Sequence, residues 1–153
     1  MIKNGSTEKA KVGSRLEHIR DAHKTRKSDK RTTDRMEDYL EVIYELIQHK
    51  GYATSTDVAE CLNISRPSVT KMMRRLDETG LLDYEKYRGM RLTEKGGGIA
   101  ETIHQSHGIV SEFLKMIGVD KNIANMDAEQ IEHHVHPETL RKLQDLLARK
   151  RLA

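Results

Sequence analysis

Carboxylates and imidazoles recur at helical spacing in two places along this chain. Asp38 and Glu41 stand three residues apart in an amphipathic stretch, and Glu129, Glu132 and His133 follow one another at positions i, i+3 and i+4. Residues at these separations share one face of a helix, so each group directs its donor atoms the same way. Oxygen and imidazole donors without thiolates suit a divalent ion such as Mn, Fe, Co or Zn.

Two further histidines, His104 and His107, lie one turn apart on a third predicted helix and offer more imidazole donors. For each group taken alone, a solvated charged face is the ordinary alternative to a metal site, so spacing leaves both interpretations open. We expect His134 and His136 to be surface residues. The lone cysteine, Cys61, excludes an internal disulfide framework and a cysteine-based zinc finger.

The middle of the chain has the pattern of a helix-turn-helix followed by a β-ribbon. Thr54 or Ser55 caps a short helix, residues 63–65 form a turn, and Pro67 opens a second helix. Residues 81–85 and 90–93 then alternate in the manner of strands, with a turn at 86–89. Together these elements predict a winged helix-turn-helix.

On the second helix of this motif, hydroxyl and cationic side chains avoid the apolar face formed by Val69, Met72, Met73 and Leu76. Short hydroxyl groups suit close approach to phosphates and thymine methyls, whereas long cations suit guanine and phosphates. The alternative is a small helical bundle with a solvated basic face. The predicted DNA-binding residues are Ser65, Arg66, Ser68, Thr70, Lys71, Arg74 and Arg75 on the helix, and Lys86 and Arg88 at the wing tip.

Helices flank this motif on both sides, which makes the predicted fold mainly α. Before it, an apolar stripe at a spacing of 3.6 residues starts near Thr33 or Asp34 and ends at Gly51. After it, helices are expected from 94 to about 117, from about 121 to 135, and from Pro137 to near 149. Three consecutive glycines, residues 96–98, weaken the first turn of the long helix.

Charge is distributed unevenly along the 153 residues, although the formal net charge is only +3. Residues 1–34 contain ten basic and five acidic side chains, and residues 64–95 contain eight and five. Residues 96–148 contain four basic and eight acidic side chains. This asymmetry favours a part that binds a polyanion joined to an acidic part with another role.

The organisation expected from these patterns has three parts. Residues 1–33 form a basic and mostly flexible extension with a short helix near 14–24, residues 34–95 the winged helix-turn-helix domain, and residues 96–153 a helical domain. No stretch approaches the roughly 20 apolar residues of a membrane span, and the start of the chain lacks an apolar signal region. We therefore expect a cytoplasmic protein with no membrane partner.

The order of these motifs resembles that of the manganese-responsive regulators in the diphtheria-toxin-repressor family. The resemblance covers roughly residues 33–140. It is carried by MEDYLE at 36–41, SVTKM at 68–72, YEKYRG at 84–89, GVD at 118–120 and IEHH at 131–134.

What the resemblance implies is a homodimer that binds double-stranded DNA at a palindromic operator, with a metal site between the winged-helix domain and an all-helical dimerisation domain. An SH3-like third domain is not expected. The implied ligands can hold two Mn(II) ions per subunit, and they are Asp38, Glu41, His107, Glu129, Glu132 and His133.

The implied function is Mn(II)-dependent repression of manganese-uptake genes, and the chain is not expected to be an enzyme. Iron-responsive relatives place Met where Asp38 stands and Cys where Glu132 stands, and such softer ligands favour later metals. Two alternatives stay open. One is a two-metal hydrolase, because clustered carboxylates and histidines also build such sites. The other is a winged-helix regulator that senses another metal, such as iron or zinc.

Overall fold

The computed structural model of this chain describes residues 15–20, 32–85 and 88–152. The chain consists of two compact units, the first extending to Glu101 and the second beginning at Thr102. The division falls within one continuous helix, α5 (Glu94–Met116). The described secondary structure is almost entirely helical, as the sequence predicts, with a single two-stranded ribbon in the first unit.

The first unit begins with a short helical segment, α1 (residues 15–20), and continues with α2 (Thr32–Lys50). Leu16 and Ile19 of α1 are buried in the same core as Leu40 and Ile43 of α2. The helix expected near 14–24 is therefore present in the described residues. Burial of these apolar side chains stabilises the segment against the core, and the rest of the expected extension up to residue 31 lies outside the described residues.

The helix-turn-helix consists of α3 (Ser55–Leu62) and α4 (Arg66–Glu78). A capping box starts α3: the Thr54 hydroxyl accepts from the backbone N–H of Asp57, and the Asp57 side chain accepts from the backbone N–H of Thr54. Asn63 closes α3 in the left-handed region, which an Asn tolerates better than most residues. Ser65 caps α4, with Pro67 in its first turn.

The wing is an antiparallel pair, β1 (Leu82–Glu85) and β2 (Gly89–Leu92), with Leu82 opposite Leu92. Behind it, α5 starts at Glu94 and includes the glycine run without a break. Gly96 has a packing role there, since a Cβ at this position would lie 1.9 Å from the carbonyl oxygen of Leu81. A Cβ on Gly97 would meet nothing within 4 Å.

The second unit contains the rest of α5, then α6 (Lys121–Ile131) and α7 (Pro137–Leu152). Asp120 caps α6, and a buried hydrogen bond of 2.6 Å joins the Ser111 hydroxyl to the side-chain oxygen of Asn125. None of the described helices is long and apolar enough to cross a membrane.

The predicted extent of α6 is wrong at its C-terminal end. The helix stops at Ile131 rather than near 135, because the N–H of His134 turns back to the carbonyl of Ile131 in an i to i+3 hydrogen bond of 2.9 Å. Glu132 and His133 therefore lie in the turn that follows α6. At the other helix boundary, α7 starts at Pro137 as expected and extends three residues past 149 to Leu152.

Candidate metal centre and nucleic-acid interface

A buried cluster of one imidazole and two carboxylates lies within the second unit. The Nδ1 atom of His107 is 2.8 Å from Oε2 of Glu132 and 3.5 Å from Oε1 of Glu129. The three residues offer donor atoms that all lie within 4.8 Å of one another. Their exposed fractions are only 6%, 2% and 6% for His107, Glu129 and Glu132. Three of the six predicted metal ligands thus converge on one small volume.

Different elements position these three side chains. His107 lies in the middle of α5, Glu129 in the last turn of α6, and Glu132 at the C-cap of α6. Glu132 keeps a helical backbone conformation and stands three residues after Glu129, so both carboxylates lie on the face of α6 that meets His107. His133 comes next in the chain, with its Nε2 atom 3.6 Å from Oε1 of Glu132 and its side chain buried. His134 and His136 are exposed, as the sequence predicts.

The chemistry of this cluster fits a divalent cation. Two carboxylates removed from water need a positive charge near them, because an uncompensated buried charge is costly. One imidazole and several carboxylate oxygens form a donor set of hard to borderline character. No thiolate takes part, since Cys61 is buried in the core of the first unit. Burial raises the pKa of the Cys61 thiol, which keeps it a protonated core residue.

The remaining two predicted ligands, Asp38 and Glu41, are neighbours on α2 in the first unit. Both are buried, with exposed fractions of 4% and 1%, so they are not part of a solvated acidic face. The carboxylate of Glu41 forms a buried ion pair with the guanidinium of Arg15. The sequence patterns did not predict that Arg15 would pair with a buried carboxylate. The helical spacing of Leu16 and Ile19 was the sequence feature that could have indicated a packed helix here rather than a flexible extension.

The outer face of α4 is polar and basic, opposite to a largely buried apolar face. Val69, Met73 and Leu76 have no exposed surface, whereas the predicted DNA-binding cations of the helix are all exposed. An open groove of about 730 Å³ runs along this outer face. The groove is lined by Arg66, Pro67, Thr70, Lys71, Arg74, Arg75 and Glu78.

Two of the predicted DNA-binding hydroxyls also have a structural role. Ser65 caps α4 by accepting from the backbone N–H of Ser68, and the two hydroxyl oxygens are 2.9 Å apart. Thr70 donates to the carbonyl of Arg66. On the wing, Arg88 is strongly exposed, with Nη1 3.4 Å from Oε2 of Glu85. Lys86 lies outside the described residues.

Comparison with known families covers both units. Residues 31–90 match the family described as "Iron dependent repressor, N-terminal DNA binding domain". Residues 93–151 match its companion, described as "Iron dependent repressor, metal binding and dimerisation domain". The two matches follow each other along the chain with a gap of two residues.

Individual relatives agree with these matches. The chain is 46% identical over 115 residues to the HTH-type transcriptional regulator MntR of Lysinibacillus sphaericus (strain C3-41), covering 75% of this chain and 83% of that protein. The solved structure of the manganese regulator SloR is 29% identical, with a TM-score of 0.65, over 74% of this chain. The apo form of the manganese-activated repressor ScaR is 31% identical, with a TM-score of 0.62, over 72% of this chain.

The chain spans 53% of each of these two solved proteins, and 83% of the MntR relative. Both matched families and the curated relative are transcriptional regulators, which removes the hydrolase alternative. The chain belongs to the diphtheria-toxin-repressor family of iron-dependent repressors, as a DNA-binding, dimerising transcriptional regulator with a divalent-metal-binding domain and not as an enzyme.

Proposed function

We propose that this protein is a cytoplasmic manganese sensor that binds its operator when loaded with Mn(II) and thereby represses manganese-uptake genes. The observation that carries the proposal is the buried cluster of His107, Glu129 and Glu132, whose donors are oxygens and one imidazole. The similarity of the chain to regulators that are named for manganese supports manganese as the metal that it senses.

The proposed ligands are the cluster residues together with His133, Asp38 and Glu41, and they hold two ions per subunit. A bound divalent ion supplies positive charge and a fixed coordination geometry. The five carboxylate and imidazole groups other than His133 are all buried, which excludes competing water from them. Asp38 and Glu132 contribute oxygen where a softer donor would favour later metals, which supports manganese over iron.

Ligands drawn from both units give metal loading a way to influence DNA binding. If the ions are held most tightly in the DNA-competent arrangement of the dimer, loading shifts the population toward it. Dimeric helix-turn-helix proteins need their recognition helices about 34 Å apart to read successive major grooves. We therefore propose a palindromic operator, read from two copies of α4.

The nine predicted DNA-binding residues divide by role. Arg66, at the start of α4, is proposed to make a bidentate contact to guanine, and Ser65, Ser68 and Thr70 are proposed to make close contacts in the groove. Lys71, Arg74 and Arg75 are proposed to contact phosphates, which supply affinity without sequence preference. Lys86 and Arg88 of the wing are proposed to reach the backbone or the adjacent minor groove.

The experiment is a fluorescence-anisotropy titration of DNA binding against Mn(II). A duplex first selected by the wild-type protein from a random pool in the presence of manganese serves as the probe. Wild type should bind it only when manganese is added, and Asp38→Ala should need far more metal or fail to bind. Asp127→Ala, which removes an exposed carboxylate of α6, should behave like wild type. Equal binding by wild type and Asp38→Ala without metal would contradict the proposal.

A further inference from the structure

Arg15 forms a buried ion pair with Glu41 within the first unit. Arg15 is 7% exposed and Glu41 is 1% exposed, so both charges are withdrawn from water. The guanidinium is held in place because the next residue, Leu16, and Ile19 one turn later are anchored in the core. A weakly hydrated, planar cation of this kind is well suited to pair with a buried carboxylate.

The partner carboxylate lies on an acidic face of α2. Asp34, Asp38, Glu41 and Glu45 follow one another at spacings of four, three and four residues, and all four are buried. Such a face attracts cations strongly, and Arg15 supplies one directly to Glu41. Removing one member of a buried pair leaves the other charge uncompensated, which is much more costly than losing an exposed pair.

The carboxylate of Glu41 is also one of the proposed metal ligands, and it cannot bind the guanidinium and a metal ion equally well at the same time. An ion bound by Glu41 competes with the guanidinium for its oxygens, and two positive charges at this distance in a buried site repel each other. We propose that Arg15 is a built-in competitor of the divalent metal for Glu41, and that it sets the metal affinity of the protein. This inference rests on the proposed function, because it takes Glu41 to be a ligand.

The test is a calorimetric Mn(II) isotherm on the full chain carrying Arg15→Met. Methionine keeps the apolar stem and removes the charge. It raises the free energy of the metal-free state, where Glu41 loses its partner, and it removes the repulsion between the guanidinium and the bound ion in the loaded state. We expect manganese to bind about tenfold more tightly, the amount expected for one charge-assisted hydrogen bond. Arg15→Lys, which retains the charge, should bind much as wild type does.

Arg20→Met is the matched control. Arg20 lies on the same helical segment, but its side chain bonds to the Cys61 thiol rather than to a carboxylate of α2. Its loss should leave manganese affinity unchanged. As a second readout, manganese should raise the midpoint of thermal unfolding more for Arg15→Met than for wild type. Arg15→Gln replaces Arg15→Met if the methionine variant does not fold.

The outcomes separate this inference from the proposed function. If wild type itself does not bind manganese, the proposed function fails. If wild type binds manganese and Arg15→Met binds it no more tightly, or if Arg20→Met tightens it equally, the competitor role of Arg15 is refuted. Tighter binding by Arg15→Met alone, reversed in Arg15→Lys, supports it.

Discussion

The Nδ1 atom of His107 lies 2.8 Å from Oε2 of Glu132, although the two residues are 25 positions apart in the chain. This hydrogen bond joins the C-terminal end of α6 to the middle of α5. Glu132 is the C-cap of α6, its backbone is still helical, and its N–H donates to the carbonyl of Ala128. Glu129, still within the last turn, reaches the same imidazole from inside the helix. One helix end therefore brings two carboxylates to one histidine.

His107→Ala should weaken manganese binding by about tenfold or more, since it removes the imidazole around which the cluster is built. The matched control is His104→Ala, an exposed histidine one turn earlier on the same helix, which should bind manganese like wild type. Equilibrium dialysis with manganese quantified by atomic absorption checks both variants. An equal loss of manganese affinity in His107→Ala and His104→Ala would mean that the cluster is not the manganese-binding site.

Lys71→Ala should reduce the salt dependence of operator binding. A lysine that neutralises one phosphate releases about one counterion, so the slope of log K against log salt should fall by about one unit. Lys121→Ala, at the start of α6 in the second unit, should leave the slope unchanged. The measurement is anisotropy at several salt concentrations with saturating manganese. An unaltered slope in Lys71→Ala would remove this residue from the phosphate contacts.

Two substitutions in the glycine run of α5 should change the free energy of unfolding in opposite directions. Gly96→Ala places a methyl group against the Leu81 carbonyl and should destabilise the first unit, because backbone on both sides must shift. Gly97→Ala meets open space and should stabilise the helix by up to about 1 kcal/mol. Urea unfolding followed by circular dichroism measures both. A stabilising Gly96→Ala would show that the close approach is absent in solution.

The start of α3 should make stability depend on pH in the acid range. Partial burial raises the pKa of Asp57, but hydrogen bonds from Lys50, 2.5 Å away, and from Thr54 outweigh it and hold that pKa below its usual 3.8. A carboxyl whose pKa is lower in the folded state stabilises the fold above its unfolded pKa. This contribution is lost as the pH falls below about 4.

Asp57→Asn should therefore lose stability at pH 6 and show a shallower decline than wild type between pH 5 and pH 3. Urea unfolding at each pH gives the comparison. Glu60→Gln, on an exposed position of the same helix, should keep the wild-type decline. Parallel pH profiles for wild type and Asp57→Asn would show that the Lys50 and Thr54 contacts do not act on Asp57.

Local sequence signals were sufficient to predict most of the helices and strands. Pro67, the capping residues Thr54 and Ser65, and the alternation around Leu82 indicate helix starts and strands through short-range geometry, so the helix-turn-helix and wing could be predicted. The end of α6 could not, because the Glu-His-His segment keeps a helical pattern past Ile131. The helix ends where the N–H of His134 donates to the carbonyl of Ile131, a turn that the local pattern does not predict.

The candidate site was predictable in its residue types but not in its full set of partners. Carboxylate and histidine spacing indicated the donors, and the family resemblance selected among them. The pairing of Arg15 with Glu41 joins residues 26 positions apart, and the role of Gly96 depends on the distant carbonyl of Leu81. Contacts of this kind arise from the packing of separate elements, which local periodicity does not encode.

The most direct test of the central claim is anomalous diffraction at the manganese edge from crystals of the full chain grown with Mn(II). The proposed manganese centre predicts anomalous peaks within bonding distance of His107, Glu129 and Glu132, with Asp38, Glu41 and His133 completing the coordination of two ions per subunit. Peaks elsewhere on the protein, or none near the His107 imidazole, would contradict it.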